Sequence, residues 1–187
     1  MHFGTIKYFD IANGEGVRTS LFVSGCTHHC PHCFQPQTWD FSFGEEFTEA
    51  TLNAILESLA PRYVDGLTIL GGEPMEPDNQ AGIAPLVQAV RTQYPHKTIW
   101  IYTGDIYENL IDEHSPRHTP FTNQILSCIN ILVDGPFIEA KKDITLRFRG
   151  SSNQRLIDVP RTLSEKRVVL WHDKPLYSTH NWVPHTQ

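Results

Sequence analysis

"RTSLFVSGCTHHCPHCF", residues 18–34, decides how this chain is read. Its opening residues are β-branched and apolar and close on Gly25, the pattern of a buried strand. Cys26, Cys30 and Cys33 follow at once in a C-x3-C-x2-C run. Three thiols raise a question of count, because a closed structural metal site takes four ligands. Either a fourth protein ligand lies elsewhere, or one coordination position is left open.

The same punctuation recurs downstream. "GLTIL" (66–70) reads as a strand ending in "GGEP", "KTIWIY" (97–102) as one stopped by Thr103 and Gly104, and "INILVDG" (129–135) as one ending on a glycine. Between them, "FTEATLNAILESLA" (47–60) carries Leu52, Ile55, Leu56 and Leu59 at helical spacing, with Thr48 as N-cap. "AGIAPLVQAVRTQY" (81–94) predicts a second helix with Pro85 in its first turn. Residues 105–128 read as helical or irregular, interrupted by the polar "DEHSPRHTP".

Strand, loop and helix in alternation predict βα units around a largely parallel sheet with right-handed connections. Cys26, Cys30 and Cys33, Gly71 to Pro74, Thr103 and Gly104, and Asp134 and Gly135 all follow strand C-termini. In α/β proteins that edge is where sites are built.

The chain of 187 residues suits one substantial core, so a single domain is expected over residues 1–187. Its formal charge is −6 without a block of like charge, which argues against a general nucleic-acid footprint but not against a nucleotide-sized ligand. "MHFGTIKYFD" lacks the basic start and apolar run of a signal peptide, and no apolar stretch approaches the roughly 20 residues of a membrane span. The expectation is a cytoplasmic protein with no membrane association. Closely spaced cysteines in that setting read as metal binding or redox chemistry. Cys128, alone in "ILSCINILV", reads as a small buried hydrophobe.

Two metals compete for the cysteines. Zinc needs a fourth ligand, and His28, His29 and His32 lie in the loop, though His32 abuts Cys33 awkwardly. An iron–sulfur cluster accounts for the open position more directly, since three thiolates leave one iron of a cubane exposed to a small molecule.

"CTHHCPHCF" resembles the signature loop of the radical S-adenosylmethionine enzymes. Among them the chain is similar to the activating proteins of anaerobic ribonucleoside-triphosphate reductases. "DIANGEGVRTSLFVSGC", "CFQPQTW", "GGEP", "IWIYTG", "LVDGPF" and "FRGSSNQRLID" occur in the family's order, covering roughly residues 5–159. The three-cysteine loop points only to the superfamily; "RGSSNQR" after "VDG" is more specific.

The resemblance implies a partial, open (βα) barrel, since complete eight-unit barrels take about 250 residues. It implies a [4Fe-4S] cluster on Cys26, Cys30 and Cys33, with S-adenosylmethionine as the fourth ligand, on the unique iron. The implied reaction is reductive cleavage of that cofactor to a 5′-deoxyadenosyl radical, which takes hydrogen from a glycine of the partner reductase. Cluster and cofactor perform that step; the protein binds, orients and shields. A flavodoxin-type electron donor is implied as well.

Implied cofactor contacts are His32, Cys33 and Phe34 in the loop, Gly71, Gly72 and Glu73 at "GGEP", and Thr103 and Asp134 at the next strand ends. Phe34 is expected near the adenine, against the alternative of a core anchor. Implied partner contacts are Arg18, Arg149, Ser151, Ser152, Asn153 and Gln154, with Asn153 and Gln154 bonding an extended peptide. For Arg18, a turn with an edge-strand charge is the competing reading. Residues 160–187 lie beyond the resemblance. "KRVVLW" is expected to add a strand, "YSTHNWVPHTQ" to be irregular, and Trp171, Trp182 and the tail histidines to pack or face solvent. Two other functions stay open: activation of a different glycyl-radical enzyme of the formate-lyase type, which "FRGSSNQR" disfavours, and a zinc-stabilised binding module.

Overall fold

A computed structural model describes residues 1–172. The chain runs β1 (His2–Asp10), β2 (Arg18–Val23), β3 (Glu45–Glu46), α1 (Glu49–Leu59), β4 (Gly66–Gly71), α2 (Pro77–Gln93), β5 (Thr98–Tyr102), α3 (Tyr107–Ile111), α4 (Thr122–Cys128), β6 (Ile131–Asp134), β7 (Arg155–Asp158) and α5 (Val159–Glu165). Seven strands form one sheet in the order β3-β1-β2-β4-β5-β6-β7. The middle four are parallel, while β1, β3 and β7 run antiparallel to their neighbours.

Thr48 caps α1 as predicted, accepting from the Thr51 N–H while the Thr51 side chain accepts in return from the Thr48 N–H. Pro85 does not start α2. The helix begins at Pro77, eight residues earlier, and Pro85 sits inside it without an N–H to continue the ladder. "GGEP" therefore leads into the helix almost directly. The polar stretch 105–128 resolves into the two short helices α3 and α4.

β1 and β7 were not expected from the sequence. β1 is mostly exposed or half-buried, so its residues lack the apolar run of a central strand. β7 is four residues long and follows the polar "RGSSNQ" directly. In "KRVVLW", Leu170 bridges Ile157 and the Trp171 N–H reaches Leu156 O, so the expected strand is a short bridge on β7. Trp182, His180 and His185 lie outside the described residues.

The core lies against one face of the sheet. Leu21, Val23, Leu67, Ile69, Ile99, Ile101 and Leu132 alternate along the strands and meet Ile55 and Leu59 of α1, Ile83, Leu86 and Val87 of α2, and Ile125 of α4. Each fully buried aliphatic side chain here contributes about 1.5–3 kcal/mol. Cys128 belongs to this cluster, in keeping with its reading as a small hydrophobe. The opposite face carries a smaller cluster of Trp100, Ile131, Val133 and Leu156, with Tyr102, Phe148 and Trp171 against it.

Arg18 also belongs to that second face, and it corrects an expectation. The side chain is fully buried rather than offered to a partner. Its guanidinium donates to Thr68 Oγ1 at 2.6 Å, Thr98 Oγ1 at 2.8 Å and the carbonyls of Glu15, Leu67 and Thr98. It lies 5.4 Å from the Trp100 ring centre. Burial holds its pKa down to about 10. Arg18 begins β2 and ties the N-terminal ends of β4 and β5 together, at the sheet edge opposite the cysteines.

Candidate functional site

The site is assembled where β2, β4, β5 and β6 end. Gly71 leaves β4 with φ +113°, a left-handed turn that glycine adopts freely, and a Cβ there would come within 2.6 Å of Val23 O. The chain then folds against the cysteine loop, with the Gly72 N–H on Val23 O at 2.7 Å and the Glu73 N–H on Gly25 O at 2.9 Å. Asn79 of α2 stitches the two segments, donating to Ser24 O and Glu73 O at 2.9 Å each.

Glu73 is 1% exposed and its carboxylate is occupied by the protein. Oε1 accepts from the Met75 N–H at 2.8 Å; Oε2 accepts from the Gly104 N–H at 2.7 Å and meets His28 Nε2 at 3.0 Å. The expected cofactor contact is thus a bond between two strand ends and the loop. Gly104 suits this packing, since a Cβ there would lie 2.9 Å from the His28 ring. His28 Nε2 also lies 3.4 Å from Asp105 Oδ2. The bonds to Asp105 and Glu73 outweigh desolvation and push the imidazole pKa up to about 10, so His28 is an imidazolium at neutral pH.

Arg117 completes the network. Nη1 meets Glu76 Oε2 at 2.5 Å, Nε meets Asp105 Oδ2 at 3.1 Å, and Nη2 donates to Thr27 Oγ1 at 2.9 Å. Burial pushes the Glu76 carboxyl up, but the bonds from Arg117 and Thr27 prevail and hold it below the usual glutamate range. None of Thr27, Glu76, Asp105 and Arg117 was singled out from the sequence. Glu76 and Asp105 each follow a glycine turn at a strand end, a signal that was available. Arg117 had none, lying 90 residues from its partner Thr27.

The cysteines fit a metal cluster by chemistry and place. All three are free thiols in one loop at a strand C-terminus. Cys26 is buried, whereas Cys30 and Cys33 are partly exposed. Burial pushes the Cys26 thiol up to about 11, and burial and the nearby Cys33 raise Cys30. A bare thiolate is disfavoured there, and a bound cation reverses that preference.

The zinc alternative needed His28 or His29 beside the thiolates. Nε2 of His28 faces Glu73 and Asp105 instead, and the His29 ring packs edge-on against Trp39 at 4.6 Å. Phe34 is 91% exposed, which removes the core-anchor reading and leaves its ring at the surface beside Cys33. His32 is exposed beside it.

Thr103 and Asp134 reach the same edge but face inward. Thr103 Oγ1 accepts from the Asp105 N–H at 3.1 Å. Fully buried Asp134 pairs with Arg155 at 2.5 Å and accepts from the Tyr107 N–H at 2.8 Å. The segment 149–154 also folds on itself. Gln154 Oε1 accepts from the Gly150 and Ser151 N–H groups, and its Nε2 donates to Gly135 O. Arg149 donates to Gln154 O at 2.6 Å, and Asn153 Nδ2 to Pro136 O at 2.8 Å. Ser151 is buried and Ser152 exposed. Gln154 is therefore a brace for the loop rather than a free peptide-binding amide, while Asn153 Oδ1 is buried without a hydrogen-bond partner. No helix among the described residues is long and apolar enough to cross a membrane.

A family model described as "4Fe-4S single cluster domain" matches residues 12–157. The anaerobic ribonucleoside-triphosphate reductase-activating protein of Escherichia coli strain K12 is 42% identical over 147 residues, 78% of this chain and 90% of that protein. Its counterpart in Vibrio cholerae is 39% identical over 156 residues, covering 82% and 96%. That of Enterobacteria phage T4 is 34% identical over 156 residues, covering 83% and 93%. The chain belongs to the family of anaerobic ribonucleoside-triphosphate reductase-activating proteins and carries its 4Fe-4S single cluster domain.

Proposed function

We infer that this protein is the activating enzyme of an anaerobic ribonucleoside-triphosphate reductase. The observation that carries this reading is the cysteine loop at the end of β2, beside three parallel strand ends, within a chain that matches these activating proteins over most of its length. Cys26, Cys30 and Cys33 would hold the cluster, and S-adenosylmethionine would take the open iron. When bound, the pair supplies reductive cleavage to a 5′-deoxyadenosyl radical, which forms the glycyl radical of the reductase.

The chain's own residues prepare that chemistry. Glu73, Asp105 and His28 lock the loop to the ends of β4 and β5. Exposed Phe34 and His32 flank Cys33 at the loop's last turn and suit an adenine, and the Gly71–Gly72 backbone suits the methionine amino group. Asn153, with Arg149 and Ser152, lies on the loop after β6 and suits the entering glycine segment. Helices α1, α2 and α4 all pack on one sheet face, as a section of an open (βα) barrel requires, and an open side admits a protein substrate. The reading includes a single domain, a flavodoxin-type donor and the cytoplasm.

Anaerobic reconstitution with iron and sulfide tests it. The expected result is about four irons per chain and release of 5′-deoxyadenosine and methionine under dithionite, both lost in Cys30→Ala. Stoichiometric zinc without acid-labile sulfide would overturn it.

A further inference from the structure

Arg117 has no part in the reading above, yet its side chain joins three segments around the cysteine loop. It leaves the chain between α3 and α4 and reaches three separate segments: it ion-pairs with Glu76 at the head of α2 and with Asp105 beyond β5, and it donates a hydrogen bond to Thr27 in the loop. Glu76 holds the same threonine twice, its Oε1 accepting from the Thr27 N–H at 2.7 Å and from the hydroxyl at 2.6 Å. Thr27 is covalently next to Cys26.

We propose that Arg117 and Glu76 form a clamp on Thr27 that sets the Cys26 end of the loop before any cluster binds, making Arg117 a positioning residue. A mostly buried ion pair gains little net stability, because desolvation offsets attraction, so its value lies in fixing one arrangement. A planar guanidinium suits this task, since its fork meets several acceptors at fixed angles, as a lysine cannot. The far end of the loop has different support: the Cys33 N–H on Cys30 O at 3.2 Å, with Pro31, His32 and Phe34 exposed. Cys26 is thereby the fixed ligand, onto which Cys30 and Cys33 close.

The proposal rests on the loop being a cluster site, but its test needs no cluster. The metal-free full chain is treated with iodoacetamide, and labelling of each cysteine is followed by peptide mass mapping. In the wild type, Cys30 and Cys33 label first and Cys26 later; Cys128, buried in the core, labels last and reports global opening. In Arg117→Met, Cys26 labelling accelerates about tenfold with Cys128 unchanged, the loss expected for a charged hydrogen bond that limits local opening. Thr27→Val, at an exposed position that does not threaten folding, accelerates Cys26 several-fold. Unchanged Cys26 labelling in both variants overturns the clamp. So does joint acceleration of Cys26 and Cys128 in Arg117→Met, which makes Arg117 a support of the whole fold. Should Arg117→Met fail to fold, Thr27→Val decides alone. Failure of the wild type to take up iron and sulfide would strike the functional reading and leave this result standing.

Discussion

Two loops at the same sheet edge are held in opposite ways. The cysteine loop takes its shape from distant segments, through Glu73, Glu76, Asp105 and Arg117, whose partners lie 45 to 90 residues away. The loop from Gly135 to Gln154 is braced largely by its own amides, with Gln154 bonding Gly150, Ser151 and Gly135. Buried charge rigidifies the first; local amide bonds shape the second and leave Asn153 Oδ1 without a partner. A reactive cofactor needs fixed geometry, whereas a surface that admits a protein segment needs groups able to change partners.

The sharpest way to break this contrast is at the thiolates. Cys30→Ala should abolish both cluster content and reductase activation, whereas Asn153→Ala should keep the cluster and lower activation alone. Iron analysis beside a reductase assay reads both; loss of iron in Asn153→Ala would merge the two loops into one unit.

Stability gives the next largest effect. Glu73→Ala removes a buried acceptor from two backbone N–H groups and the imidazolium, and should cost about 3–5 kcal/mol in urea unfolding. Gln154→Ala should cost only about 1–2 kcal/mol, because its N–H partners lie nearer solvent. Equal losses would remove the distinction between buried charge and local amides.

The smallest effect is in acid. The Glu76 carboxyl is held below its usual value, so its contribution is fully present above about 4.5 and is lost as pH falls through the lower, folded-state value. Wild-type stability should therefore drop more steeply than that of Glu76→Gln in that window. Parallel acid limbs would show that Arg117 does not stabilise the charged form.

The central strands, α1 with its Thr48 cap and the position of the cysteines were legible in the sequence, because each rests on local periodicity and punctuation. Pro85 misled because proline reads as a helix start, yet Pro77 already fills that role. Arg18 misled because a charge at the head of a strand reads as exposed, while two neighbouring strands offered it acceptors inside the fold. The Arg117 clamp was illegible for the same reason: long-range pairing leaves no trace in residue spacing. Asp134 and Glu73 stood at the right edge, but their inward bonds exist only once Arg155, His28 and Gly104 are brought to them.

The most direct test is a radical measurement. The reconstituted protein is reduced anaerobically with dithionite, mixed with S-adenosylmethionine and the candidate anaerobic reductase, and examined by electron paramagnetic resonance. A glycyl-radical doublet on the reductase that disappears with Cys30→Ala is the predicted result. Cofactor cleavage without that doublet would contradict the assignment of the reductase as substrate.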